Sequence, residues 1–424
     1  MESVPRRDQT RRTGPRHATH QRRRPVVRAL TVATVGLVAF LLSGAAFAYS
    51  ALQGNITTHD VSGLLGGSRP DSDGEATDPG AGMPFNVLVM GSDVRSGANA
   101  ELGGAPETEG MRSDTTLLVH ISADRRRADI VSIPRDLLVD IPDCPQADGG
   151  TSAPQPSTMF NQAFATGGEQ GQVEYAAACA IKTVEQLTGV FVDDYVVVDF
   201  AGFTDMVTAL GGIPMCIPEP LIDRLAGLEL EAGQQTLNGY EALAYARARK
   251  EVGDGSDISR IGRQQLLLGA MVRQVLSKNL LTDLPALYQF LDAATASVTA
   301  GPTLGQIPNL VGLTTSIRSI PADGVTFVTV PFEWAGPRVR STEDADALWT
   351  AIAQDRPVVP ASAGPSTTAT DDGADGSSQA TPDASAPDPA TSENTPSDGA
   401  ASTPTPTAAP LDFITGEDPG GVCN

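Results

Sequence analysis

The sequence has few of the residues that build metal centres and nucleotide sites. Only four cysteines and four histidines occur among its 424 residues. They form no C-x-x-C pair and no histidine cluster, which argues against a zinc site. The glycine-lysine pattern of P-loop proteins is also missing, which argues against ATP as a ligand. Candidate functional residues are therefore sought among the carboxylates and arginines.

Basic residues are scarce outside the first 28 positions. Residues 1–28 hold nine arginines against Glu2 and Asp8, whereas the rest of the chain has 20 Lys and Arg against 49 Asp and Glu, a net charge of −29. An acidic body argues against nucleic acid as a partner. A basic tip in front of an apolar run is instead typical of a membrane topology signal.

Residues 29–49 are that apolar run, with 21 positions and no charged side chain. A helix needs about 20 residues to cross a bilayer. We predict a cytoplasmic basic tip over 1–28, a single transmembrane helix over 29–49, and an extracytoplasmic remainder. The alternative is a cleaved signal peptide, because residues 46–48 form an A-x-A pattern. The run is longer than the roughly 7–15 residues of a signal peptide's apolar h-region, which favours an uncleaved anchor.

Composition divides the remaining chain into four segments. Residues 50–83 are rich in Gly, Ser, Asp and Thr and indicate a stalk linker. Residues 84–357 have the apolar content of a folded domain, and 358–409 consist almost wholly of Ala, Ser, Thr, Pro and Asp, which predicts a disordered linker. Residues 410–424 regain apolar character, so this segment either docks back through Cys423 or frays as a tail.

All four cysteines lie beyond the predicted membrane helix. An even count in an oxidising compartment favours two disulfides, for which three connectivities exist. We favour Cys144–Cys179 and Cys216–Cys423.

Strand-like and helix-like segments alternate between 84 and 357, which predicts a layered α/β domain with helices on both sides of a sheet. The predicted strands are 85–90, 116–121, 128–133, 195–200, 213–217 and 325–330, and the predicted helices are 173–188, 203–210, 259–280 and 344–353. Strands 116–121 and 128–133 are joined by a polar turn, so they form a hairpin or lie adjacent. Their charged outer ends then lie on one edge of the sheet.

Five charged residues lie at predicted strand ends, and core packing does not explain them: Asp93, Arg112, Asp114, Arg135 and Asp136. Ligands of open α/β sheets bind beyond strand ends. Mg²⁺ typically takes one or two carboxylates together with substrate phosphates, so Asp93 and Asp114 form a candidate magnesium site. The alternative for each single Asp is a turn or cap residue.

A second charged cluster lies near the start of the helix predicted over 259–280. Arg260, Arg263 and Gln264 share one helix face, and Arg247 and Arg249 share a side only if the chain is extended there. Arginine at a helix N-terminus is locally unfavourable without an anion, and guanidinium groups suit phosphate. The cluster therefore indicates an anion site, for which a lipid-linked pyrophosphate at the membrane surface is the best candidate.

With these motifs the chain resembles the LytR-CpsA-Psr (LCP) proteins, which are cell-wall glycopolymer ligases of Gram-positive bacteria. Among them it resembles the actinobacterial type. The matching blocks occur in family order at 86–93, 111–115, 132–136, 161–164, 182–189, 237–249 and 260–265. Residues 250–258, rich in Gly and acidic residues, depart from the pattern and make the register of the last arginines less certain.

The resemblance implies a three-layer α/β/α fold with a mixed central sheet and an apolar cleft for a polyprenyl chain. It implies a phosphotransferase that moves a glycopolymer from a polyprenyl-pyrophosphate carrier to peptidoglycan. Carried over by motif, Asp93 and Asp114 bind Mg²⁺. The chemistry also needs a carboxylate to take the proton of the acceptor hydroxyl, for which Asp114 and Asp136 are the candidates. The implied pyrophosphate ligands are Arg112, Arg135, Arg247, Arg249, Arg260 and Arg263, with Lys182 and Gln264 at the edge.

Two other functions fit the same residues. A pyrophosphatase would use water in place of the sugar hydroxyl, and a non-catalytic membrane regulator would bind the lipid without turning it over. The expected partners are thus a polyprenyl-pyrophosphate-linked glycopolymer, a peptidoglycan acceptor and the membrane, with no nucleic acid.

Overall fold

The computed structural model describes residues 23–67, 69–71, 82–93, 111–169, 171–249, 251–252, 255–275, 283–321, 324–358 and 414–415. The chain divides into two compact units, 1–55 and 56–424. In the first unit, helix α1 covers Arg23–Asn55, and its part Val26–Asn55 is long and apolar enough to cross a membrane. A signal sequence near the N-terminus can meet the same criteria of length and composition, so helix α1 fits either interpretation of 29–49.

The second unit is built from strands and helices that alternate along much of the chain. Its helices are α2 (Ser62–Leu65), α3 (Asn161–Gly167), α4 (Val173–Thr188), α5 (Phe200–Ala209), α6 (Gly239–Arg247), α7 (Asp257–Val275), α8 (Leu284–Ala296), α9 (Ile307–Ile317) and α10 (Glu343–Ala353). Its strands are β1 (Thr57–Thr58), β2 (Phe85–Ser92), β3 (Ser113–Ile121), β4 (Ala128–Ile133), β5 (Leu138–Ile141), β6 (Gln155–Met159), β7 (Asp194–Asp199), β8 (Ile213–Ile217), β9 (Leu221–Asp223), β10 (Leu228–Leu230), β11 (Gly233–Leu237), β12 (Val298–Ala300), β13 (Val325–Thr329), β14 (Phe332–Ala335), β15 (Arg338–Ser341) and β16 (Ile414–Thr415).

Eight strands form a mixed central sheet in the order β1-β12-β7-β2-β3-β4-β13-β16. Pairs β7/β2 and β4/β13 are parallel, whereas β2/β3 and β3/β4 are antiparallel. The edge strand β16, from the C-terminal segment 410–424, pairs Thr415 with Thr326 of β13. A mixed sheet between helices confirms the predicted α/β fold.

The two faces of the sheet carry different side chains because strand residues alternate in direction. Leu88 and Leu118 face a core that includes residues of α4 and α10. Val87 and Val119 face the opposite way, where α9 covers one end of the sheet. The other end of this second face is occupied by α5, α6 and α7, which form a separate apolar cluster.

Strands β3 and β4 form the predicted hairpin, with Thr116 opposite Ile133 and Ile121 opposite Ala128. The outer ends of both strands therefore meet on one edge of the sheet, as the sequence predicted.

Several predicted boundaries differ from the structure by one to three residues, and two of these differences concern the region of the site. The strand predicted over 195–200 ends at Asp199, whose carboxylate accepts a hydrogen bond from Gly202 N at 2.7 Å and so caps α5. Phe200 is consequently the first residue of that helix. Helix α7 begins at Asp257 rather than at 259, and residues 276–280 of the prediction lie outside the described residues.

The predicted Cys144–Cys179 disulfide is present and joins the segment after β5 to α4. Both cysteines are buried in the larger core. The other predicted pair, Cys216–Cys423, includes a residue that lies outside the described part of the chain.

Replacing both Cys144 and Cys179 with alanine should lower the free energy of unfolding by about 3–4 kcal/mol, because the bridge closes a loop with a sequence separation of 35. Urea unfolding of the oxidised wild type and the double variant measures this difference. A loss below about 1 kcal/mol would contradict the expected effect of loop closure.

Candidate active site in a cleft between the sheet and three helices

A cleft of about 520 Å³ lies between the second face of the sheet and helices α5, α6 and α7. Its floor comes from β2, β3 and β7, and the turn between β9 and β10 also borders it. Most of its lining is apolar: Val89, Met90, Leu117, Val198, Phe200, Phe203, Met206, Leu225, Ala226, Leu243, Ala246, Leu267, Leu268 and Met271. The charged lining residues are Asp114, Arg135, Asp199, Asp223, Arg247, Arg249 and Arg260. The cleft thus offers a long apolar surface next to concentrated guanidinium groups.

Arg135 follows β4 and contacts three carboxylates. Its Nη1 donates to Asp114 Oδ1 at 2.9 Å, and its Nε lies 3.2 Å from Asp257 Oδ1 and 3.8 Å from Asp136 Oδ1. Burial opposes the charged form, but Asp114 and Asp257 outweigh it and raise the pKa of Arg135. The guanidinium therefore stays charged and is fixed from several sides.

Arg260 lies in the first turns of α7, where it is paired with the buried Asp257. Its Nη2 also donates to the backbone carbonyl of Asp114 at 3.1 Å, so the helix start is tied to the end of β3. Burial raises the pKa of Asp257, and Arg260 and Arg135 limit the rise. This carboxylate offsets much of the unfavourable charge that arginine brings to a helix N-terminus.

The Nε atoms of Arg135 and Arg260 are buried and donate no hydrogen bond within the described residues. A buried donor without an acceptor lowers the stability of the fold, and phosphate oxygens are strong acceptors for guanidinium groups.

Arg247 and Arg249 reach the cleft because α6 ends between them. Arg247 is the last residue of the helix, and Ala248 then adopts an extended conformation with φ −55° and ψ 133°. The guanidinium of Arg247 lies 4.7 Å from the centroid of the Phe200 ring, a cation–π distance. The extended chain that the sequence argument required for these two arginines is therefore present.

Backbone contacts hold this arginine segment in place. Gln264 Nε2 donates to the carbonyl of Ala246 at 3.1 Å, and Arg263 donates to that of Ala248. Asp223 Oδ2 accepts from Arg249 N at 2.7 Å. Gln264 lines the cleft, whereas the buried Arg263 does not, so its contact is with the chain that carries the other arginines.

Helix α6 can approach α5 closely only because its first residue is Gly239. A Cβ atom at this position would lie 2.4 Å from the carbonyl oxygen of Thr204 in α5. Any other residue would push α6, and with it Arg247, away from α5.

Asp93 and Asp114 lie at neighbouring strand ends. A bulge in the β2–β3 pairing places Ser92 opposite Ser113 and Gly91 opposite Thr115, so Asp114 is the extra residue. Asp93 Oδ1 accepts a hydrogen bond from Arg112 N at 2.6 Å. Two carboxylates from adjacent strands fit the hard oxygen ligands that Mg²⁺ prefers. The described residues hold no group of three or more His, Cys, Asp or Glu that could hold a metal, so phosphate or water would complete such a shell.

Three of the predicted pyrophosphate ligands do not line the cleft: Arg112, Lys182 and the Arg263 described above. Arg112 is exposed and does not line it. Lys182 lies on α4, where its Nζ donates to the carbonyl of Asp143 at 2.6 Å. The structure therefore gathers Arg135, Arg247, Arg249 and Arg260 around the cleft, but not these three side chains.

Three residues of this region were not singled out from the sequence. Asp257 looked like part of an acidic loop over 250–258, yet it opens α7, and its spacing of three from Arg260 was the available signal. Asp223 binds Arg249 N across 26 positions, and Arg338 Nη1 lies 3.8 Å from Asp136 Oδ1 across a much longer stretch. Contacts between such distant positions leave no local pattern in a single sequence.

The ionisation of Asp114 predicts how stability depends on pH. Burial alone would raise its pKa, but Arg135, Arg260 and Arg247 outweigh burial and hold the pKa below its usual range. A carboxyl with a depressed folded-state pKa contributes stability above its unfolded pKa of about 4, and this is lost as the pH falls through the folded pKa. The stability difference between wild type and Asp114→Asn should stay constant from about pH 8 to 5 and disappear in stronger acid. Urea unfolding across this range tests it, and a difference that vanishes already near neutral pH would contradict it.

Comparison with known proteins gives consistent matches. The LytR_cpsA_psr family model matches residues 49–355. Cell wall biosynthesis protein LcpA of Corynebacterium glutamicum is 30% identical over 332 residues, which cover 74% of this chain and 61% of LcpA. The Bacillus subtilis protein TagT, named a polyisoprenyl-teichoic acid–peptidoglycan teichoic acid transferase, is 29% identical over 310 residues, or 71% of this chain and 86% of TagT.

A crystal structure of a Streptococcus agalactiae protein shares the fold. Its TM-score is 0.51 at 22% identity, and the match covers 67% of this chain and 91% of that one. The chain spans 61% and 54% of the lengths of two corynebacterial relatives, LcpA and LcpB.

Proposed function

The chain belongs to the LytR-CpsA-Psr family, and from this premise we propose that it transfers a glycopolymer from a polyprenyl-pyrophosphate carrier to peptidoglycan. The observation that carries the proposal is the convergence of four arginines from three parts of the chain in the lining of one largely apolar cleft. These residues are Arg135 after β4, Arg247 and Arg249 at the end of α6, and Arg260 in α7. A polyprenyl pyrophosphate has the matching chemistry, an apolar chain ending in concentrated negative charge.

The reaction requires little covalent chemistry from the protein. The acceptor hydroxyl oxygen bonds to the phosphorus next to the glycan, the bond from that phosphorus to the bridging oxygen breaks, and polyprenyl phosphate leaves with the electron pair. The hydroxyl proton passes to a carboxylate, for which Asp114 and Asp136 are the candidates. Positioning and charge neutralisation supply most of the catalysis in such transfers, and fixed guanidinium groups provide both.

We further propose Mg²⁺ as the cofactor, held by Asp93 and Asp114. Bound there, the ion would supply Lewis-acid neutralisation of phosphate charge. Asp114 would then connect the metal site to the Arg135 guanidinium through their 2.9 Å hydrogen bond. Chelation with EDTA should lower the transfer rate about a hundred-fold, and Asp93→Asn should raise the Mg²⁺ concentration needed to restore it.

The membrane arrangement follows from helix α1. We propose that it remains as an uncleaved anchor, with the nine arginines of residues 1–28 in the cytoplasm and the α/β domain outside. The carrier lipid and the peptidoglycan acceptor would then both be available on the side of the membrane where the domain lies. Accessibility of a cysteine-labelled N-terminus in intact and permeabilised cells tests the orientation.

A reconstituted assay separates the proposal from its alternatives. The full-length chain in vesicles is given a polyprenyl-pyrophosphate-linked oligosaccharide with and without peptidoglycan. We expect polyprenyl phosphate release to depend on the acceptor and the oligosaccharide to become linked to peptidoglycan. Equal release in both conditions with no linked product would indicate a pyrophosphatase, and no release would indicate a non-catalytic regulator.

A further inference from the structure

The hairpin β14–β15 lies directly beside Asp136. Val339 N donates to the carbonyl of Asp136 at 3.3 Å, and Val339 forms a parallel bridge with Leu137. The preceding residue, Arg338, places Nη1 3.8 Å from Asp136 Oδ1. This hairpin from the end of the domain thus lies next to the charged residues around Arg135.

The edge formed by Asp136 and Arg338 lies outside the apolar cleft. Neither Asp136 nor Arg338 lines the cleft, although Arg135 and Arg249 do. Arg135 reaches both regions, since its Nη1 contacts Asp114 in the cleft and its Nε lies 3.8 Å from Asp136. The Arg338 side chain is 39% exposed, so a ligand from solvent can reach it. Arg135 therefore separates an apolar region from an open polar one.

We infer that the Asp136–Arg338 edge is the acceptor subsite and that Arg338 binds the peptidoglycan strand; this inference rests on the proposed function. In phosphoryl transfer, the attacking and leaving oxygens lie roughly in line on opposite sides of phosphorus. If the leaving polyprenyl phosphate occupies the apolar cleft, the acceptor hydroxyl has to approach from the other side of Arg135. The oxygen–phosphorus bond forms there, and Asp136 receives the hydroxyl proton.

Charge complementarity supports the peptidoglycan strand as the ligand of this subsite. Peptidoglycan carries carboxylate groups on its muramic-acid substituents, and Arg338 presents a guanidinium to solvent on a chain whose net charge is −22. Arg340, two residues further along β15, is exposed and stands opposite Glu333 of β14. Arg338 stands opposite Ala335 of β14 instead, and its acidic neighbour is Asp136 itself. This difference makes Arg340 a matched control on the same strand.

Steady-state transfer by full-length Arg338→Ala, Arg338→Lys and Arg340→Ala tests the inference. Arg338→Ala should raise the KM for a soluble peptidoglycan fragment about ten-fold, with little change in the KM for the donor. Arg338→Lys should recover part of this loss, and Arg340→Ala should behave like the wild type. An equal acceptor KM in all variants, or an equal rise in both KM values, would overturn the acceptor subsite.

Tryptophan emission provides a second test, because the chain has only two tryptophans. Trp334 is 40% exposed on β14, opposite Val339, whereas Trp349 is 3% exposed in the core. Trp334 is thus two strand spacings, about 10 Å, from the backbone of Asp136. Titration with the peptidoglycan fragment should change the emission of wild type but not of Trp334→Phe, and Arg338→Ala should need about ten times more fragment.

The outcomes distinguish this inference from the proposed function. If the wild type transfers glycan but its emission does not respond to saturating fragment, the hairpin is not the acceptor subsite and the transferase proposal stands. If the fragment binds with the expected dependence on Arg338 but no glycan is transferred, the acceptor subsite is supported and the transferase proposal fails.

Discussion

Replacing Arg135 with alanine is expected to lower the transfer rate by about 10²–10³-fold, the usual effect of removing one fixed donor from a developing negative charge. The guanidinium contacts Asp114 in the cleft and lies near Asp136 and Asp257 on its other sides. Alanine would remove the group that connects the donor and acceptor regions and leave these carboxylates to repel the pyrophosphate. In the proposed reaction, both effects act on the negative charge that would form as polyprenyl phosphate leaves.

The stability of the same variant should change much less than its activity. Breaking a buried ion pair can cost about 3–5 kcal/mol when one charge is left alone. Here Arg260 still neutralises Asp257, and the Asp114 side chain is 33% exposed, so water partly solvates it. A loss of activity at nearly unchanged stability therefore separates a catalytic role from a folding defect.

Three variants make this measurement decisive. Arg135→Lys keeps the charge but loses the planar fork, so it should recover only part of the rate. Arg126→Ala, an exposed arginine in the turn at the opposite end of the β3–β4 hairpin, should behave like the wild type. Transfer by Arg135→Ala at more than a tenth of the wild-type rate would show that this guanidinium is not needed for the chemistry.

The β3–β4 hairpin explains why part of this site could be predicted from the sequence. Two short apolar runs across a polar turn determine an antiparallel pair, and antiparallel pairing brings the outer ends together. Asp114 and Arg135 are therefore neighbours as a consequence of local pattern. Spacing along α7 similarly places Arg260 and Gln264 on one helix face that borders the cleft.

Side-chain direction and distant contacts could not be predicted in the same way. A motif match gives a residue's position along the chain, but the direction of Lys182 is determined by the packing of α4, which turns its ammonium group towards Asp143. The contact of Asp223 with Arg249 N depends on how the β9–β10 hairpin folds against the end of α6. Such contacts are products of tertiary structure rather than of periodicity.

Asp257→Asn is expected to lower kcat about a hundred-fold without raising the KM for the donor. The Asp257 carboxylate is 6% exposed, is paired with Arg260 and lies 3.2 Å from Arg135 Nε. Asparagine has nearly the same shape but no charge, so both guanidinium groups lose the anion that neutralises them and holds them in place. The cleft also becomes more positive by one unit, which favours binding of the pyrophosphate even though the arginines no longer hold the geometry that the transition state requires.

A binding experiment distinguishes this explanation from a general loss of structure. Without ligand, Asp257→Asn should be less stable than the wild type because the guanidinium groups of the partly buried Arg135 and the buried Arg260 then repel each other. Inorganic pyrophosphate supplies the missing negative charge and should stabilise this variant more than it stabilises the wild type.

Thermal unfolding with increasing pyrophosphate measures that difference. Asp344→Asn, an exposed carboxylate in the first turn of α10, is the matched control and should respond like the wild type. An equal pyrophosphate response in wild type and Asp257→Asn would mean that Asp257 does not share Arg135 and Arg260 with the substrate. A larger response in the variant would mean that the Asp257 carboxylate and pyrophosphate neutralise the same two cations. Loss of the carboxylate can increase the stabilisation by pyrophosphate only if both anions pair with the same guanidinium groups.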